Sequence, residues 1–149
     1  MYTDDEISGA RIGHIFDANA RRIACNLYAQ FRKRDDIKTV ARNSGFNYEQ
    51  VQLIKDYIFY ELHWNRKNEL VRFAPSYDMA ESWRRLSEHS GKNIKPHDIL
   101  MLHHEALEIA ILLTTPNCTQ MQAHAMAEQK FNYKQAADAY YISLGIGVN

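Results

Sequence analysis

The chain has 149 residues, 46% of them hydrophobic and 11% aromatic, which is enough for one domain with its own core. Eighteen basic residues balance eighteen acidic ones, so no net field draws the chain to nucleic acid or to an anionic membrane, and any such contact must be local. The longest apolar run, residues 109–113, falls far short of the roughly 20 residues that cross a bilayer, and the acidic start Met-Tyr-Thr-Asp-Asp-Glu is unlike a secretory leader.

Residues 1–16 contain Gly9 and Gly13 and no periodicity, so they read as a flexible lead-in or docking arm. A single helical domain is expected over residues 17–144. Asp17 opens a helix with Ala20, Ile23, Ala24, Leu27, Tyr28 and Phe31 at helical spacing, ending in the basic run Arg32, Lys33 and Arg34. A short helix over residues 37–43 is stopped by Ser44 and Gly45. Asn47 and Gln50 form a capping box for the next helix, with Val51, Ile54, Ile58 and Leu62 as its inner stripe. Residues 65–72 are polar and fit a loop or small hairpin, and residues 73–75 an extended connector.

Ser76 caps a helix over residues 77–89, with Met79, Ala80, Trp83 and Leu86 inward and Gly91 beyond its end. Pro96 suits the first turn of a helix over residues 96–113, which Pro116 closes off. Thr119 and Gln122 box the start of a helix over residues 121–130, Asn132 caps the last over residues 133–141, and residues 145–149 should fray. The expected fold is an all-α bundle of about six or seven helices around the apolar helix of residues 96–113.

That central helix carries the chemistry. Stepping roughly 100° per residue from Ile99 places His104, Glu108, Glu105 and Asp98 at roughly 140°, 180°, 240° and 260°, one polar strip, with His103 set apart at roughly 40°. His104 and Glu108, one turn apart, can act on the same atom or bond each other. A structural alternative pairs Glu105 and Glu108 with Arg72, Arg84 or Arg85. The string HEALE departs from the zinc-protease HExxH at its second histidine, which is Glu108. With no clear third ligand, no metal or other cofactor is expected, and a metal-dependent hydrolase through His104 and Glu108 stands as a minor alternative. A di-iron bundle would need further Glu-x-x-His sets.

His63, Asn65, Arg66 and Lys67 lie in the polar loop, while Lys55 and His124 sit within helices and could face the same cleft. Histidine beside a carboxylate supplies acid–base chemistry, and Lys or Arg stabilises an anionic phosphorane, the parts a metal-independent ribonuclease uses. On this reading His104, Glu105, Glu108 and His63 are catalytic, and Lys55, Arg66, Arg72, Asp98 and His124 bind substrate. A competing reading takes residues 37–54 as a DNA-binding helix-turn-helix, or the chain as a phage-type structural module. Its recognition helix would carry only Lys55 as a base, against Glu49 and Asp56. Cys25 and Cys118 form neither a metal pair nor a disulfide framework and read as structural thiols.

The succession VARNSGF, VQLIKDYIFYELH, RFAPSYDMAESWRRL, PHDILMLHHEALE and AHAMAEQKFNY resembles a C-terminal module of bacterial polymorphic toxins of the contact-dependent-inhibition and Rhs type. The resemblance covers about residues 37–133. It implies a toxin secreted as part of a larger carrier protein and acting in the cytoplasm of a neighbouring bacterium. It also implies a nuclease, with transfer RNA as the expected substrate, blocked by a cognate immunity protein.

Overall fold

Side-chain caps set where the helices begin. In the computed structural model, which describes residues 7–8 and 18–145, Asn47 and Gln50 form the reciprocal box that starts α3 (Tyr48–Phe59), and Thr119 and Gln122 the one that starts α6 (Gln120–Lys130). Ser76 caps α4 (Tyr77–Leu86) and Asn132 caps α7 (Tyr133–Ser143). Pro96 occupies the first turn of α5 (Pro96–Thr114), where Asp98 Oδ2 accepts the Lys95 N–H at 2.8 Å. With α1 (Ala18–Lys33) and α2 (Ile37–Ser44), the described residues hold seven helices in an all-α bundle. The expected lead-in lies outside the described residues except for β1 (Ile7–Ser8), as do residues 146–149.

The hairpin expected near residues 65–72 is present as β2 (His63–Trp64) paired antiparallel with β3 (Leu70–Val71). The connector after it is β4 (Phe73–Ala74), which pairs in parallel with β1. Three expectations need correction. The helix of residues 77–89 ends at Leu86, because Asn43 Nδ2 takes the carbonyls of Leu86 and Glu88, and Arg42 takes that of His89. Leu62 is exposed rather than inward, since the N–H groups of Tyr60 and Glu61 both turn back to the Asp56 carbonyl and end α3 a turn earlier. Ile23 is exposed beside a seam made by Ala20, Ala24, Tyr28 and Phe31.

The core is aromatic at its centre. Phe59 meets Tyr28 edge-on at 4.7 Å and Trp83 at 5.3 Å, joining α3 to α1 and α4. Asp36 locks the same three-way junction: Oδ1 accepts from Lys55 Nζ at 2.6 Å and Oδ2 from Trp83 Nε1 at 3.0 Å. Helix α5 touches α3, α4, α6 and α7, and so is central. Its anchor to α4 is a buried fork, Arg85 Nε and Nη2 each donating to one Asp98 oxygen at 2.8 Å. Arg85 Nη2 also donates to His97 Nε2 at 3.2 Å, which requires a neutral imidazole; burial lowers its basicity accordingly.

Two turns need glycine for different reasons. Gly45 and Gly91 both have positive φ, 81° and 67°, but a Cβ on Gly45 would meet open space, whereas one on Gly91 would lie 2.8 Å from Asn43 Oδ1. Replacement by alanine should cost about 1–2 kcal/mol at Gly45 from backbone strain alone. At Gly91 the strain is joined by disturbed Asn43 hydrogen bonds, for about 3 kcal/mol in all. Urea denaturation of Gly45→Ala and Gly91→Ala checks the order; equal midpoints would mean that Asn43 yields without loss.

Candidate active site

Helices α5 and α6 run antiparallel across the turn at residues 115–119, because Gln120 and His124 face Glu108 while His124 and Phe131 face His104. The turn brings one polar strip from each helix together. Gln120 Nε2 donates to Glu108 Oε1 at 3.0 Å, and His124 Nδ1 lies 3.5 Å from the same oxygen. His104 Nε2 and His124 Nδ1 are 3.3 Å apart. From α3, the buried hydroxyl of Tyr57 makes no hydrogen bond of ordinary geometry but lies within the electrostatic reach of Glu108 and Glu105.

The outer nitrogens of both histidines are engaged. His104 Nδ1 is 3.0 Å from the Phe131 carbonyl and must donate to it, so Nε2 is the nitrogen that faces the cluster. His124 Nε2 lies 3.5 Å from Glu128 Oε2, and its Nδ1 points inward. His104, Glu108 and His124 thereby offer three ligand atoms within 4.8 Å of one another. His124 is the third donor that the sequence reading lacked, and with it the ground for expecting no metal falls away.

Charge is unevenly served. Glu105 is completely buried; neither of its oxygens nor Glu108 Oε2 meets a hydrogen-bond partner of ordinary geometry, although the two carboxyls lie close enough to share a proton. Burial, reinforced by the neighbouring Glu108, lifts Glu105 well above the usual carboxylate range. Burial and the same two carboxylates lift Tyr57 above the usual phenol range. Burial opposes a charge on His124, but the hydrogen bonds and charges of Glu108 and Glu128 outweigh it and push it up to about 9. For Glu128 the burial effect is again reversed, here by His124, and the carboxyl is held below its ordinary value.

Of the residues singled out by sequence, the structure brings His104, Glu105, Glu108 and His124 into one cluster. His63 stands behind Tyr57: its Nε2 is 3.1 Å from the Tyr57 carbonyl, its ring stacks on Phe73 at 3.8 Å, and burial lowers its basicity. The others lie apart. Asp98 belongs to the Arg85 fork, and Arg84 pairs with Glu81 and Glu88, so the expected Arg partners of Glu105 and Glu108 are already occupied or, like Arg72, exposed. Lys55 is buried against Asp36 and the Arg34 carbonyl and cannot meet a phosphate, in an active site or on a helix-turn-helix. Arg66 is exposed in the hairpin loop, and His103 packs on Phe46 and Phe131 instead of the cluster. Cys25, expected to be structural, is exposed.

Tyr57, Gln120 and Glu128 were not singled out. Glu128 had a signal: His124-x-x-x-Glu128 repeats the spacing of His104-x-x-x-Glu108 on the facing helix. Compared with protein-family models, with curated proteins and with solved structures, the chain matches none.

The unserved carboxyl gives a pH signature. Unfolded Glu105 ionises near its ordinary 4.5, while in the folded chain it holds its proton to much higher pH. Above that value the native state binds more protons, so this group makes stability fall as pH rises. In chelator-treated protein, Glu105→Gln should therefore raise the urea midpoint at about pH 8 and leave it unchanged at about pH 4, where both states are protonated. Parent and variant with one midpoint at both values would mean that Glu105 finds a charge partner.

Proposed function

We propose that the chain is a hydrolytic toxin module that cleaves RNA, with the enclosed cluster as its reaction centre. The observation that carries the hydrolytic part is Glu105, a fully buried carboxyl set against a second one, Glu108, which clusters with His104 and His124. Keeping a group so placed costs stability, and such a cost is characteristic of a working acid–base residue. Held protonated, Glu105 gives its proton to the leaving oxygen of a phosphodiester and takes one back from the attacking group. Positive charge at the His124 corner stabilises the charge developing on the phosphate oxygens.

Approach is from the α6 side, because His124 and Glu128 are the half-exposed members of the cluster. RNA as substrate, transfer RNA in particular, rests on the resemblance to polymorphic-toxin modules. So do release from a larger carrier, action in the cytoplasm of the target cell and neutralisation by an immunity protein. No described helix is long and apolar enough to cross a membrane. Duplex-DNA binding through α2 and α3 is not favoured, since the exposed positions Tyr48, Glu49, Gln50 and Leu53 of α3 include no cation.

Induced expression of the chain inside bacteria should arrest growth and produce discrete RNA fragments on a gel. Glu105→Gln should accumulate as folded protein and lose at least about 100-fold in cleavage, the scale of a lost acid–base group. Unimpaired growth with the parent chain would remove the toxin reading, and a fully active Glu105→Gln would remove Glu105 from the chemistry.

A further inference from the structure

We infer that His104, Glu108 and His124 bind one divalent transition ion of the zinc class, with a fourth position left open toward the half-exposed face of α6. A tetrahedral zinc site with bonds of about 2.1 Å places neighbouring donor atoms about 3.4 Å apart. The two edges meeting at His124 are 3.3 Å to His104 Nε2 and 3.5 Å to Glu108 Oε1, so the donors already stand at the spacing of a coordination sphere. The three together lie within 4.8 Å, and closing the last edge needs only a small movement of a side chain.

The surroundings agree with the donors. Histidine ligands characteristically give their other ring nitrogen to a carbonyl or carboxylate, which fixes the tautomer and orients the ring. His104 does so with the Phe131 carbonyl at 3.0 Å, and His124 with Glu128 at 3.5 Å. Gln120 orients the Glu108 carboxylate, whose second oxygen lies buried against Glu105 and Tyr57. Two imidazoles and a carboxylate select a zinc-class ion over magnesium or calcium, which take oxygen donors. Two ligands one turn apart on α5 and a third from α6 leave Glu105, directly following the first histidine, as a carboxyl of the same cluster that is not itself a ligand. As a catalytic ion it rests on the hydrolytic reading above; as a bound ion it rests on the donor geometry alone.

The purified full-length chain is stripped with a chelator and dialysed against zinc, and metal is measured per chain. Cobalt(II) is titrated in parallel as a spectroscopic probe. One zinc per chain and the intense visible absorption of four-coordinate cobalt are expected. His124→Ala should abolish stoichiometric binding, Glu128→Gln should weaken it about 10- to 100-fold, and Glu105→Gln, which removes no ligand, should keep it. Helical circular dichroism checks that each variant is folded. A stripped parent chain that takes up no stoichiometric zinc overturns the site whatever the variants do, and so does a folded His124→Ala that binds as tightly as the parent. Zinc uptake without RNA cleavage would leave the site standing and remove the ribonuclease; cleavage by a demonstrably metal-free chain would keep the ribonuclease and overturn a catalytic role for the ion.

Discussion

Three buried carboxylates on one helix, with a single buried arginine among the described residues to serve them, is the constraint from which the rest of the arrangement follows. Arg85 goes to Asp98, where both of its donor nitrogens meet a carboxylate oxygen and a ring nitrogen of His97 accepts from the same fork. Removing one partner of such a buried pair leaves an uncompensated charge, so the fork fixes the N-terminal end of α5 against α4. Lys55, the other buried Lys or Arg among the described residues, is held by Asp36 at the junction of α1, α3 and α4. Glu105 and Glu108, two and three turns along α5, are left with each other, two imidazoles, an amide and the Tyr57 hydroxyl as polar neighbours. Their unserved oxygens are a consequence of where the arginine was placed.

Helix starts were legible because their signals are local: Asn47 with Gln50, Ser76, Pro96, Thr119 with Gln122 and Asn132 act within one turn of the residue they cap. Helix ends were less so. What stops α4 is a side chain more than forty positions away, Asn43, whose amide claims the carbonyls that another turn of helix would have used. The strands are two residues long, below what alternation in a sequence can register, and β1 with β4 are joined across most of the N-terminal half of the chain.

The site was half legible for the same reason. A step of roughly 100° per residue gathers His104, Glu105 and Glu108 on one strip of α5 without any knowledge of packing. It gathers Asp98 as well, yet the rise along the axis separates Asp98 from Glu105 by about 10 Å, and a wheel discards that coordinate. Which cations would reach the strip depended on how α4 docks, and the docking gave Arg85 to Asp98. The convergence of His124 on His104 depended on the α5–α6 turn. The sequence carried its trace in two His-x-x-x-Glu pairs, the second of which reads as an ordinary polar face until the first is known to stand opposite. The misleading helix-turn-helix spacing of α2 and α3 has a plain source: a glycine-capped helix followed by a boxed one is also how two helices pack in an ordinary core.

The antiparallel turn between α5 and α6 also bears on the order of events when the chain folds. Every ligand atom and both outer hydrogen-bond partners of the histidines lie between residues 104 and 131. Their meeting closes only a short loop, and contacts of low sequence separation form early. Tyr57 and His63, and with them the wall that shuts the cluster from water, arrive from some forty residues upstream. During synthesis that wall is made first, yet it stays without its opposite face until the helical hairpin emerges. The reaction centre is thus a local unit nested in a non-local enclosure, and the folding step that completes the core is the one that encloses the carboxyls.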